Sequence, residues 1–366
     1  MVAVWCMSSC ANVACDRFTF NNLLSVCVRQ SNGPAFDLGI NVFKEMNRKL
    51  PGSTTPVYPD ASPDSVTYNT LLNLCAKNLP HARVDTALKV FKRMRQDGVQ
   101  PDTVTFNTML HACLRAKGGA DVATAKATFQ ELHRISKATG ERAYPGVHAD
   151  AHTYNCLLRS FAEQAGEPDV ESMLKVLRDM IDGGSTLGGE AAPAVAPTTQ
   201  SWDIVLHALA SRTPPMVDES LELLDAMIEQ LGDEAPTKLL NHVLFACSRA
   251  TPPRQAEFMR VLQMLIDLPH ARPNAWTVSA LIRMCARASP PATEVADEWL
   301  PRLFRDGCDM PPDGPGQLLP LFGQERSDEL VAMAKELGQQ RAKAAGDAAR
   351  KRRQQQQQAR AQRPQR

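Results

Sequence analysis

The chain has 366 residues and a net charge of +1, and 43% of its residues are apolar but only 5% aromatic. This length suits two ordinary domains or one elongated array, and an apolar, aromatic-poor composition is typical of helical repeat proteins. No apolar run approaches the roughly 18 residues that a membrane-spanning helix needs, so we expect no membrane partner.

The N-terminal segment, residues 1–16, has no charged residue before Asp16. A secretory signal needs a positive segment, and an organellar transit peptide is rich in Arg and Ser, so the sequence shows no clear targeting peptide. We expect this segment to be disordered. Cys6, Cys10 and Cys15 have loose spacing and no His nearby, and they predict no metal site.

A twelve-residue pattern then occurs four times, each time with Asn at the fourth place. The copies are FTFNNLLSVCVR, VTYNTLLNLCAK, VTFNTMLHACLR and HTYNCLLRSFAE, which place the Asn at Asn21, Asn69, Asn107 and Asn155 with separations of 48, 38 and 48 residues. Each copy precedes a second amphipathic stretch, as in VDTALKVFKRMRQDG from Val84. A helix, a turn, a second helix and a loop therefore form one unit, and the loops differ in length.

The pattern predicts seven units in residues 17–313: 17–64, 65–102, 103–150, 151–198, 199–237, 238–274 and 275–313. A half-repeat or capping helix follows at 314–338, and a basic Gln- and Arg-rich tail at 339–366. Because no segment shows strand alternation and one helical hairpin cannot bury its apolar face alone, we expect an all-α, right-handed superhelical solenoid of helix-turn-helix repeats.

Five cysteines fall late in the first helix of a unit, where a small apolar residue allows close helix packing. They are Cys27, Cys75, Cys113, Cys247 and Cys285. We expect free thiols in the core, without a disulfide framework.

The second unit, with V-T-Y-N-T-L-L…C followed by A-L-K-V-F-K-R-M…G-V-Q-P-D, resembles the pentatricopeptide repeat, in a P-type-like form. The third and fourth units resemble it nearly as well, and the last three only weakly. The related tetratricopeptide pattern is disfavoured because Tyr-Asn or Phe-Asn stands where it has its Trp and Leu-Gly.

The resemblance implies binding of single-stranded RNA at about one base per repeat, with the fifth and last residues of a repeat at the base edge and the second residue against the base face. The fifth residues are Asn21, Asn69, Asn107, Asn155, Asp203, His242 and Ser279. The last residues are Asp64, Asp102, Asp150, Thr198, Thr237, Asn274 and Asp313. In the family, the Asn and Asp pairs of the first three repeats favour uracil.

Each of these residue types has a purely structural alternative. An Asn near a helix start can be an N-cap, and an Asp before a helix suits the helix dipole. Tyr68, Phe106 and Tyr154 are expected in the core between helices, and His148 and His152 on loops and surface.

The charge is distributed unevenly along the chain. Residues 335–366 contain ten Lys or Arg and two Asp or Glu, so the remainder is mildly acidic. Lys77, Arg115 and Arg159 recur near the end of the first helix, where they can contact phosphates or simply complement the helix C-terminus. The tail is either a solvated extension or a phosphate-binding arm.

The resemblance implies a protein without enzymatic activity, cofactor or small-molecule substrate, with other RNA-processing proteins as further partners. Its family works in chloroplasts or mitochondria, in transcript processing, stability, splicing or translation. Two alternatives stay open. One is a helical-repeat scaffold for protein partners, and the other is a non-catalytic repeat region related to protein-only ribonuclease P.

Overall fold

The computed structural model describes residues 15–30, 33–78, 82–134, 142–183 and 194–361. This part of the chain contains fifteen α-helices and two short 3-10 helices, and an isolated bridge joins Lys49 to Pro56. The predicted all-α fold is therefore confirmed. Residues 1–14, which hold most of the segment expected to be disordered, lie outside the described residues.

The helices alternate between the two members of a hairpin, here called helix A and helix B. The A helices are α1 (Arg17–Gln30), α3 (Ser65–Lys77), α5 (Thr103–Leu114), α7 (Ala151–Ala162), α9 (Thr199–Ser211), α11 (Thr237–Arg249) and α13 (Ala275–Arg287). The B helices are α2 (Gly33–Met46), α4 (Val84–Gln96), α6 (Val122–Leu132), α8 (Val170–Asp182), α10 (Val217–Leu231), α12 (Gln255–Asp267) and α14 (Thr293–Arg305), and α15 (Gly314–Ala361) closes the chain.

The chain divides into two compact units, Met1–Val205 and Leu206–Arg366. In the first unit, each of α1, α3 and α5 packs against its own B helix and against the next A helix. In the second unit, α11 packs against α12 and α13, and α13 packs against α14 and α15. Stacking of neighbours buries the faces that a single hairpin leaves exposed.

The apolar faces that sequence periodicity predicts are the faces that pack. In α4, Ala87, Val90, Phe91 and Met94 lie one or two turns apart on one side, and all four are buried. The five cysteines near the ends of A helices are buried free thiols, as predicted. Core side chains of this size let neighbouring A helices approach closely.

Two of the long loops between repeats add aromatic side chains to the core. The Tyr58 ring lies 5.3 Å from Phe20, and the Tyr144 ring lies 5.2 Å from Phe106, both edge to face. The Tyr144 hydroxyl donates to Glu131 at 2.6 Å. These insertions therefore contribute side chains to the core as well as lengthening the loops.

The last helix, α15, is interrupted only at Gly323, whose backbone is non-helical with φ 75°. Leu318, Leu330 and Ala334 are buried, and the Arg341 guanidinium donates to the Phe304 carbonyl at 2.8 Å. Residues 342–349 are exposed, although they continue the same helix. Residue 339, where the sequence predicts the start of the basic tail, thus lies inside a helix. The seven repeat boundaries themselves stay a prediction.

Candidate nucleic-acid interface

Aspartate is the N-cap residue of three successive A helices, α3, α5 and α7. Asp102 precedes α5 and its Oδ1 accepts the backbone N–H of Thr105 at 2.7 Å, while the Thr105 hydroxyl accepts the Asp102 backbone N–H at 3.1 Å. This reciprocal capping box recurs at Asp64 and Asp150, and with an Asn at Asn274. The structural role expected of Asp before a helix is therefore real.

The same Asp also contacts the repeated Asn of the preceding hairpin. Asn69 is the fifth residue of α3, and its Nδ2 lies 3.1 and 3.2 Å from the two carboxylate oxygens of Asp102. The Thr105 hydroxyl donates to Asn69 Oδ1 at 2.7 Å. Because Asn69 lies inside a helix and bonds across to the next one, the alternative that it is an N-cap is wrong.

This arrangement of an Asn amide, a cap residue and a hydroxyl recurs along both units. Asn107 Nδ2 lies 3.3 and 3.4 Å from the Asp150 oxygens, and Thr153 donates to Asn107 Oδ1 at 2.7 Å. Asn21 accepts from Thr67 at 2.8 Å. Asn155 donates to Thr198 Oγ1 at 3.2 Å and accepts from Ser201 at 2.7 Å.

In the second unit, Asn241 and Asn274 form the equivalent pair, with 3.1 Å between Nδ2 and Oδ1, and the Thr277 hydroxyl donates to Asn241 at 2.8 Å. The sequence had placed His242 opposite Asn274, which is wrong by one residue. The cause is Pro236, which precedes α11 in extended conformation with φ −71° and makes Thr237 the first helical residue. The Thr237 hydroxyl instead exchanges hydrogen bonds with the backbone of Arg272, at 2.9 and 3.0 Å.

The remaining predicted residues are less well defined as pairs. Asp203 is the half-buried fifth residue of α9 and belongs to the first unit. Ser279 is buried in α13, whereas Asp313 is exposed and accepts a hydrogen bond from Gln317. No hydrogen bond joins Ser279 to Asp313 in the described part of the chain.

In four of the seven A helices, the second residue is an apolar side chain that remains in solvent. Phe18 and Trp276 are each 73% exposed, and Val66 and Val104 are 56% and 58% exposed. Sequence reasoning pointed to this position without naming these residues, although their repeat position was a sufficient signal. Tyr68, Phe106 and Tyr154 are buried as predicted, and His148 and His152 are exposed.

A pocket of about 340 Å³ in the second unit opens beside Trp276. It is lined mainly by apolar and aromatic surface, with Asn241, Asn274, Lys238 and Phe245 among its residues. The Arg249 and Arg283 guanidinium groups lie 5.5 and 4.9 Å from the centre of the Phe245 ring. Concave, ring-lined surface with an amide pair at its edge suits a planar, polar-edged ligand.

Two carboxylates of the interface, those of Asp64 and Asp150, have lowered pKa values. Burial by itself raises the pKa of Asp64, but hydrogen bonds from Thr67 and the charge of Arg17 outweigh it and lower the pKa below its ordinary value of 3.8. Burial opposes the same net lowering at Asp150, where Thr153 and Asn107 supply the hydrogen bonds. The ionised Asp150 carboxylate therefore keeps the Asn107 amide nitrogen turned towards it.

Basic side chains of several A helices lie near His111 in the first unit. Burial lowers the pKa of the half-buried His111, and Arg115, His152, Arg159 and Lys77 lower it further. Three basic side chains, those of Arg115, Arg159 and Lys77, therefore lie near the His111 imidazole. One of them, Arg159, is also paired with Glu163 at 2.8 Å.

Within the described ranges, no group of three or more His, Cys, Asp or Glu is placed to hold a metal ion. Cys6 and Cys10 lie outside those ranges. In the same part of the chain, no helix is both long and apolar enough to cross a membrane.

The fold and this repeated interface define a helical-repeat protein of the all-α class. Residues 63–115 match the PPR repeat family. The crystal structure of the pentatricopeptide repeat protein PPR10 from maize is similar to the chain, with a TM-score of 0.55 and 18% identity over 92% of this chain and 42% of that one. At this identity the likeness shows the fold. The family match covers residues 63–115, the part of the chain that holds α3, α4 and α5.

A crystal structure of PPR10 in complex with an 18-nt psaJ RNA element matches with a TM-score of 0.45 and 20% identity, over 89% of this chain and 39% of that one. The chain thus spans about two fifths of the length of the solved structures it matches. No curated protein sequence matches it significantly.

Proposed function

We propose that the chain binds single-stranded RNA along the face formed by the A helices, at about one base per repeat, with the first three repeats favouring uracil. The observation that carries this proposal is the recurring bridge between an Asn amide and the next repeat's cap residue, set beside an exposed apolar side chain. A packing role alone needs neither the amide nor the exposed Phe18 and Trp276.

The hydrogen-bonding capacity of Asn69 supports a base contact. An amide side chain offers two N–H donors and two acceptor lone pairs on oxygen. Asp102 takes one donor and Thr105 one lone pair. One donor and one acceptor remain, which is the complement that a pyrimidine edge with an adjacent N–H and carbonyl requires.

The exposed second residues support stacking. Val66 and Val104 belong to successive A helices of the first unit, and each is more than half exposed. Apolar and aromatic side chains bind the faces of unstacked bases, which contributes about 1–3 kcal/mol per base for aromatic platforms. A base between two successive second residues would present its edge to the Asn and Asp pair.

The resemblance and the family match support action in an organelle, chloroplast or mitochondrion, in the processing, stability, splicing or translation of transcripts. We propose a binding role without catalysis, cofactor or small-molecule substrate, with other RNA-processing proteins as additional partners. The protein scaffold and the ribonuclease P-related region are the alternatives. Neither accounts for the carboxylate beside each Asn of the first repeats.

The test is the double substitution Asn69→Ala and Asn107→Ala in the full chain, with Asn47→Ala as the matched control. The Asn47 amide donates to the Phe43 carbonyl of its own helix, away from the Asn and Asp pairs. Each base contact is worth about 1–3 kcal/mol, so we expect affinity for a uridine-rich RNA to fall at least tenfold. Unchanged RNA affinity would favour the scaffold.

A further inference from the structure

We propose that the hydroxyl group at the third position of five A helices fixes the orientation of the Asn amide in the preceding repeat, and thereby sets the preference for uracil over cytosine. This inference rests on the proposed function. The hydroxyl residues are Thr67, Thr105, Thr153, Ser201 and Thr277.

The direction of the hydroxyl proton follows from the capping box. Thr105 Oγ1 accepts the backbone N–H of Asp102 and has one proton to donate. Two acceptors lie within reach, Asn69 Oδ1 at 2.7 Å and Asp102 Oδ1 at 2.8 Å. Since Asp102 Oδ1 already accepts the Thr105 backbone N–H and the Asn69 amide, the Asn69 oxygen is the acceptor that lacks a donor.

Two contacts therefore stabilise the same orientation of the Asn69 amide. The carboxylate of Asp102 can only accept, so it holds Nδ2, and the Thr105 proton holds Oδ1. Rotating the amide by half a turn would set Oδ1 against the carboxylate and Nδ2 against the hydroxyl proton. Thr105 is fully buried, so water does not replace its hydroxyl.

Amide orientation matters because uracil and cytosine have opposite polarity on the edge that is read. Uracil offers an N3–H donor and a carbonyl acceptor, whereas cytosine offers an N3 acceptor and an amino donor. An amide that rotates freely can complement either base. An amide held in one orientation complements only one of them.

The carboxylate is absent from two of the repeats, where the hydroxyl is retained. Asn155 faces the Thr198 hydroxyl and Asn241 faces the Asn274 amide, and both of these groups can donate as well as accept. We therefore assign sharper discrimination to Asn69 and Asn107, which have both a carboxylate and a hydroxyl partner, than to Asn155 and Asn241.

The experiment compares the Kd values of the full chain for two single-stranded RNAs with a central UUU or CCC. The variants are Thr105→Val with Thr153→Val, which keep shape and lose the hydroxyls, and Thr105→Ser with Thr153→Ser, which keep them. Thr128→Val is the control for losing a buried hydroxyl, because Thr128 donates to its own helix at Thr124. Circular dichroism monitors folding.

We expect the ratio of the Kd for the CCC RNA to the Kd for the UUU RNA to fall by a factor of about 2–10 for each hydroxyl lost. The same ratio should be unchanged in the Ser and Thr128 variants. Equal weakening of both RNAs, with the ratio kept, would overturn the inference by showing a purely structural hydroxyl. If the double Val variant does not fold, each single Val substitution is judged by the same ratio. A wild-type chain that does not bind RNA or does not prefer UUU to CCC would instead refute the proposed function.

Discussion

Substituting Asp102 separates its structural role from its proposed base contact. Replacement by Ala removes the N-cap of α5, which costs about 1 kcal/mol, and leaves the half-buried Asn69 amide without its acceptor, which costs about another 0.5–1 kcal/mol. Replacement by Asn keeps a cap of equal quality. The pair of Asn241 and Asn274, 3.1 Å apart, shows that two amides fit this geometry.

The assay is thermal unfolding followed by RNA binding at one salt concentration. About 2–4 °C of Tm per kcal/mol implies a loss of about 3–8 °C for Asp102→Ala and under about 2 °C for Asp102→Asn. Asp102→Asn should nevertheless reduce the preference for uridine, because an amide partner no longer dictates which end of Asn69 faces it. Equal loss of Tm in both variants, or an unchanged preference in Asp102→Asn, would refute this reasoning.

Three further predictions concern the core, acid stability and the C-terminal helix. Burial raises the pKa of Cys75 and Cys113 to about 12, so alkylation of these thiols at pH 8, followed by mass spectrometry, should need denaturant; rapid labelling of the native protein would contradict their burial. The pKa values of Asp64 and Asp150 are lowered from 3.8, so the stability they provide is present above pH 3.8 and is lost as pH falls through the lowered values. Urea midpoints between pH 5 and pH 2.5 should therefore fall less in Asp64→Asn, and parallel curves would count against the lowered pKa. Removal of residues 342–366 should flatten the dependence of RNA affinity on salt without changing base preference, since basic residues displace counterions from phosphates; an unchanged slope would exclude the helix from RNA contact.

Much of the fold could be predicted because two signals in the repeats indicate the helices. One is the spacing of apolar residues, and the other is the capping residue before a helix. Ala87, Val90, Phe91 and Met94 marked one face of α4, and that face is buried. The aromatic contributions of Tyr58 and Tyr144 could not be predicted, because they come from irregular insertions whose return to the core depends on loop geometry.

The candidate site was predictable where the pattern was strong. Asn69 and Asn107 lie beside Asp102 and Asp150, the partners that their repeat positions imply, and their contact with RNA stays a prediction. His242 was predicted instead of Asn241 as the partner of Asn274, because Leu239 stands where other repeats have a hydroxyl and Pro236 replaces the capping Asp or Asn. The proposed role of Thr105 could not be predicted from the sequence, because the hydroxyl and the amide that it contacts lie 36 residues apart in the chain.

Binding of the purified full chain to single-stranded RNAs with a central UUU or AAA, at one near-physiological salt concentration, tests the central claim most directly. The account predicts tighter binding to UUU. Equal, weak binding to both RNAs that disappears on adding salt would contradict it, because that behaviour requires only basic side chains and no contact between Asn and a base.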